Sequence, residues 1–145
     1  MGQPDTTALD IYQRLLDEIG ATITTRDVAA YVNHFGYPHH MQTFDTELEI
    51  KDAETMGRFF DRLVARIAEV DGGVLHRVCT VADYVDAQTI RGCHVSRLIN
   101  RALVVVEDYY ALSTLRLVGG VWKVVASQYA EAEPSLPTRI SAKEQ

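Results

Sequence analysis

The chain has 145 residues, 47% of them hydrophobic and 23% charged, with a net charge of −6; this is the profile of a soluble globular protein long enough to bury a sizeable core. Its 14 Lys and Arg against 20 Asp and Glu form no basic cluster, which argues against nucleic acid or an anionic membrane as partner. No apolar run approaches the ~20 residues that span a bilayer, and the N-terminal MGQPDTTALD lacks a signal peptide's basic and apolar regions. A cytoplasmic protein is therefore expected. Met1-Gly2 with Thr6 fits a loose myristoylation pattern, but Pro4 and Asp5 make it a poor one.

In chain order, the first predicted helix covers residues 8–19. Thr7 is its N-cap, Gly20 its stop, and Leu9, Tyr12, Leu16 and Ile19 its buried stripe. A second, shorter helix starts near Thr25, buries Val28, Val32 and Phe35, and stops at Gly36, with Pro38 barring continuation. Residues 41–50 read as a short hairpin or bent edge strand around Phe44-Asp45-Thr46. Asp52 caps a third helix over 53–70 with the stripe Met56, Phe60, Leu63, Ile67, Val70, closed by Asp71-Gly72-Gly73.

Two strands follow at 74–84 and 89–100, and then a long hairpin. Its strands, 103–117 and 121–131, flank Val118-Gly119-Gly120, where glycines accept the positive φ angles of a tight turn. Helices first and antiparallel strands afterwards predict an α+β fold with its helices on one face of the sheet. One domain is expected over 1–132, with a polar tail at 133–145.

The closing run Leu-Arg-Leu-Val-Gly-Gly-Val-Trp-Lys-Val-Val-Ala-Ser-Gln-Tyr and the exit from the second helix between Phe35 and Pro38 carry a family resemblance. With the element order of nearly the whole chain, they resemble the NTF2-like (cystatin-fold, SnoaL-like) superfamily. The resemblance implies a cone-shaped curved sheet, antiparallel or mixed, wrapped around three N-terminal helices and especially the long third one. It also implies a homodimer and a small-molecule cavity. It does not imply one activity, since that superfamily includes isomerases, dehydratases, polyketide cyclases, epoxide hydrolases and transport adaptors.

Candidate chemistry gathers on the middle strands. Counting outward from Asp86 sets Cys79 opposite Cys93, His76 opposite Ser96 and His94 opposite Val78. That register puts His76, Thr80, His94 and Ser96 on one sheet face, and Arg77, Cys79, Cys93 and Arg97 on the other. Two imidazoles and a hydroxyl on one face can relay a proton or hold a polar ligand. The next strand offers Glu107 and Asp108 as a carboxylate partner. The alternative is an outer or interface face with solvated histidines. Arg97 either pairs with Glu107, reaches an interface or fixes a ligand carboxylate, and the same alternatives hold for Arg77.

His39-His40 lacks a third ligand at any recognised zinc spacing, so neither is expected to bind metal, although one can line the mouth of a cavity. No phosphate-binding loop or nucleophile elbow occurs, and no cofactor is expected. The steroid-isomerase pattern implied by the resemblance fails at two of its three parts. Leu15 stands where a first-helix tyrosine is needed, with Tyr12 one turn earlier, and Gln42 and Thr43 replace the first-strand aspartate. Of an Asp-Arg-Asp epoxide-hydrolase set only Arg97 with Glu107 or Asp108 can be assembled, and the nearest cyclase or dehydratase pair is His94 with Asp108.

The expected site is thus catalytic His94 and Asp108, performing cofactor-free isomerase, dehydratase or cyclase work. Its ligand-binding wall would be Tyr31, Phe35, Phe44, Phe60, His76, Ser96, Arg97, Trp122 and Gln128, around a small, partly apolar molecule. The competing reading is a non-catalytic binding or assembly module that uses the open sheet face.

Overall fold

A computed structural model describes residues 6–43 and 46–129; the expected position of Phe44 and the expected tail lie outside these residues. Helix α1 (Ala8–Thr25) is capped by Thr7, whose hydroxyl accepts from the Asp10 amide. It runs past Gly20, because Thr22 and Ile23 are also buried, and ends at Arg26 in the left-handed region at φ 57°. Tyr12, Leu16 and Ile19 face the core as expected, but Leu9 is 40% exposed.

Helix α2 (Val28–Asn33) starts at an Asp27 cap rather than at Thr25, and it stops before Phe35. Phe35 opens strand β1 (Phe35–Gln42), which pairs antiparallel with β2 (Glu47–Ile50). Pro38 is accommodated there because the pairing of β1 with its other neighbour lapses between Phe35 and His40, where a missing N–H costs nothing. Helix α3 (Ala53–Ala68) has Asp52 as N-cap and buries Met56, Phe59, Phe60 and Leu63.

Strands β3 (Val74–Asp86), β4 (Thr89–Ile99), β5 (Val105–Val118) and β6 (Val121–Tyr129) complete a mixed six-stranded sheet in the order β2-β1-β6-β5-β4-β3. Only the β1–β6 pair is parallel. Register shifts in β3–β4, β4–β5 and β5–β6 are the bulges that bend strands and raise their twist. The sheet is unclosed, with β2 and β3 as edges.

Helix α1 packs on β3 and β4, while α3 packs on α2, so the helix lying closest to the sheet is the first and not the third. Gln13 ties α1 to the β3 edge, accepting from the Cys79 amide at 2.7 Å and donating to the Arg77 carbonyl at 3.2 Å. The core fills the space between the helices and the sheet face they cover. Among the described residues no helix is long and apolar enough to cross a membrane.

Candidate functional site

The register of β3 against β4 decides which side chains enter the space under the helices. Cys79 stands opposite His94, yet Val81 stands opposite Cys93, so Thr80 is an extra residue and the strand bulges there. His76 therefore faces Arg97, and Arg77 faces Ser96. The expected grouping is overturned by this one residue. Arg77, Cys79, His94 and Ser96 share the helix-covered face, while exposed His76, half-buried Arg97 and Cys93 lie on the outer face. Cys79 and Cys93 are free thiols on opposite faces.

Asp108 pairs with Arg97 across β4–β5 and so lies on the outer face, exposed. The expected His94–Asp108 pair is not assembled. Glu107 sits on the other face, opposite Leu98, and not beside Arg97. Gln128 is exposed on the outer face, bonded to Gln42 at 3.2 Å. Trp122 packs against Tyr84, with ring centroids 6.3 Å apart, and does not line the cavity described next.

Between sheet and helices lies a cavity of about 90 Å³. At roughly 10–15 Å³ per enclosed water, it has room for a ligand the bulk of several waters. Leu16, Ile19, Met56, Phe59 and Leu63 supply the apolar wall from the helices. Tyr31 and Phe35, both expected in a ligand wall, line it and lie 5.0 Å apart between ring centroids. Phe60 backs Tyr31 at 4.8 Å from the core, and its neighbour Phe59 lines the cavity instead. Ser96 is wholly buried opposite Tyr109, with its Oγ in no hydrogen bond of ordinary geometry.

Among the described residues the polar lining consists of Arg77, His94, His39, Tyr31, Tyr109, Tyr129, Ser113 and Ser127, with no Asp or Glu. His94 is 6% exposed, and its Nδ1 lies 2.6 Å from the Tyr12 hydroxyl. That hydroxyl has one proton and a second acceptor, the Gly92 carbonyl, at 3.4 Å. The single phenol proton serves one of these two contacts, and the tautomer of His94 decides which. Where it serves Nδ1, His94 presents Nε2–H as its remaining donor. Burial first, and the Arg77 charge second, hold His94 down at about 3 from its ordinary 6.5, so the ring is neutral near pH 7.

His39 is held by a backbone carbonyl instead. Its Nδ1 lies 3.3 Å from the Val124 carbonyl; a carbonyl only accepts, so Nδ1 carries the proton and Nε2 keeps its lone pair. Burial pushes His39 down to about 4. Burial also raises the phenols of Tyr31, to about 12, and of Tyr109 and Tyr129, keeping all three protonated donors. The Arg77 charge acts on His94 and on each of these tyrosines.

Sequence reasoning missed Tyr12 as a site residue and did not single out His39 from His40. Tyr12 reads as plain helix core, and its partner lies 82 positions away. Of His39 and His40 the sequence says only that one can line the mouth of a cavity, without saying which. The only signal between them was that alternate residues of an extended segment face opposite ways, which buries His39 and exposes His40.

No family model and no curated protein sequence matches the chain. Solved structures do. A protein of unknown function with a cystatin-like fold from Nostoc punctiforme superposes with a TM-score of 0.70 at 20% identity, covering 92% of this chain and 98% of that one. An NTF2-like protein with a cystatin-like fold from Novosphingobium aromaticivorans gives 0.69 at 13% identity, over 91% and 86% of the two chains. The fold is NTF2-like. A ketosteroid isomerase-like protein from Erwinia carotovora atroseptica shares this NTF2-like fold at a TM-score of 0.61 and 13% identity, over 87% and 97%. At such identities the likeness extends to the NTF2-like fold and not to any activity.

Proposed function

We propose that the cavity binds a small, partly apolar molecule and is built for cofactor-free proton transfer of the isomerase, dehydratase or cyclase kind. The observation that carries this reading is the pair of buried, neutral imidazoles in one cavity; the reading takes Tyr12 as donor to His94 Nδ1, so that His94 offers Nε2–H and His39 a lone pair. His94 thereby changes role from the expected proton-transfer group to a donor. A neutral imidazole of depressed pKa polarises a substrate carbonyl without being protonated itself. His39 Nε2 is then the base, a role that no carboxylate among the described lining residues competes for. Its low pKa makes it a weak base in the empty cavity, and a substrate oxygen gaining negative charge nearby raises it.

A second reading is favoured by the outer sheet face. Val78, Val81, Val106 and Tyr110 are exposed there, beside an open groove of about 430 Å³ lined by Cys93, Tyr110, Leu112 and Gln128. The same face carries Asp83 opposite Arg91 and Arg97 opposite Asp108, a mixture of signs that suits a second copy of itself.

One set of spectra separates the readings. With a small enolisable ketone such as cyclohexanone in deuterated water, the Met41 and Met56 methyls are expected to shift and deuterium to enter the ketone's α-carbon. His39→Gln is expected to slow that exchange at least tenfold. Shifts confined to Tyr110 and its neighbours that follow protein dilution, with no exchange, would replace the catalytic reading with the assembly reading.

A further inference from the structure

We infer that the ligand of this cavity is a small carboxylic acid with an apolar body, held through its carboxylate by Arg77. The inference rests on the proposal that the cavity is a binding site, and it adds the chemical class of what binds.

Arg77 enters on β3 and lines the cavity, with its backbone carbonyl held by Gln13. Its guanidinium donates one hydrogen bond, from Nη2 to the Leu16 carbonyl at 3.1 Å. Among the described residues no ion pair engages it, and no carboxylate lines the cavity. A guanidinium has five N–H donors and is charged at every working pH. Arg77 is half-buried; partly desolvating such a charge without a counter-charge is costly, and an anionic guest lowers that cost.

The rest of the lining is of the same polarity. The phenols of Tyr31, Tyr109 and Tyr129 are donors, while His39 Nε2 contributes a lone pair. One fixed positive charge among several neutral donors matches a monoanion with two acceptor oxygens. A carboxylate fits the planar fork of arginine bidentately. Beyond it, Leu16, Ile19, Met56, Phe59 and Leu63 leave only apolar surface for the remainder of the ligand. The size of the cavity, about 90 Å³, keeps that remainder to a single small ring or branched chain.

Benzoate and benzamide are near-isosteres that differ in charge, and both are titrated against the whole chain while the Met41 and Met56 methyls are followed by NMR. Benzoate is expected to bind at least tenfold more tightly, and Arg77→Gln to abolish that preference. Arg77→Lys, which restores the charge without the fork, is expected to recover part of it. Equal affinity for the two compounds, or a benzoate preference that survives Arg77→Gln, overturns the carboxylate assignment and leaves the cavity standing as a binding site. Methyls that respond to neither compound overturn both.

Discussion

Lowering the pH from 7 to 5 is expected to remove roughly 4 kcal/mol of folding stability, a large share of the 5–15 kcal/mol typical of a domain. His39 and His94 are both buried, and burial depresses both, to about 4 and about 3 from an ordinary 6.5. The unfolded chain takes up protons on both rings below about pH 6.5, and the folded chain refuses them. Their contribution is thus complete above pH 6.5 and is lost as the pH falls, down to about 4 for His39 and about 3 for His94. Each ring loses about 1.4 kcal/mol per pH unit over that interval, so each costs roughly 2 kcal/mol at pH 5. His34 shifts in the same direction, also through burial. Urea unfolding at pH 7 and pH 5 measures the loss, and His39→Gln with His94→Gln is expected to flatten most of it. A double variant with the wild-type pH slope would place the acid sensitivity elsewhere.

Replacing Gly92 by alanine is expected to cost about 3 kcal/mol and about 10 °C in Tm. A Cβ at this position would stand 2.7 Å from the Val81 carbonyl oxygen and 2.8 Å from two carbons of the Tyr12 ring. The first contact is with backbone at the β3 bulge and cannot be relieved by a rotamer change. The second pushes away the ring whose hydroxyl holds His94. The bare Cα is what lets the ring lie against the strand. Alanine recovers at most about 1 kcal/mol through a less flexible unfolded chain, so the clash decides the sign. Thermal unfolding of G92A beside G119A gives the comparison, since a Cβ at Gly119 meets nothing within 4 Å. There only the positive φ of 58° is at issue, and a loss near 1 kcal/mol is expected. A G92A protein as stable as wild type would mean that β4 and Tyr12 are not packed as described.

Much of the fold was legible because its signals are local. Asp52 before the Met56, Phe60, Leu63 stripe marks α3, and Gly119-Gly120 marks the last hairpin. Strand β1 was hidden because Val28, Val32 and Phe35 keep helical spacing right up to the strand, and Pro38 argues against a strand that is paired only in part. The site was less legible, for a sharper reason. Side chains alternate along a strand, so the single extra residue at Thr80 exchanges His76 for Arg77 at the cavity. A bulge of that kind depends on how β3 bends over α1, which no neighbouring residue announces. His94, Tyr31 and Phe35 line the cavity despite this, while Ser96 is buried on the same face without lining it. Arg77 was weighed for a ligand role but set on the wrong face, and Asp108, Arg97 and Gln128 went to the outer surface by the same alternation.

The central claim is that one cavity holds two neutral histidines of opposite tautomer. Long-range ¹H–¹⁵N correlation spectra of the imidazoles, recorded from pH 7.5 to pH 5, test it most directly. They are expected to show His94 protonated at Nε2 and His39 protonated at Nδ1, with both rings neutral throughout. The same tautomer at both positions, or either ring taking up a proton near pH 6.5, would contradict the account.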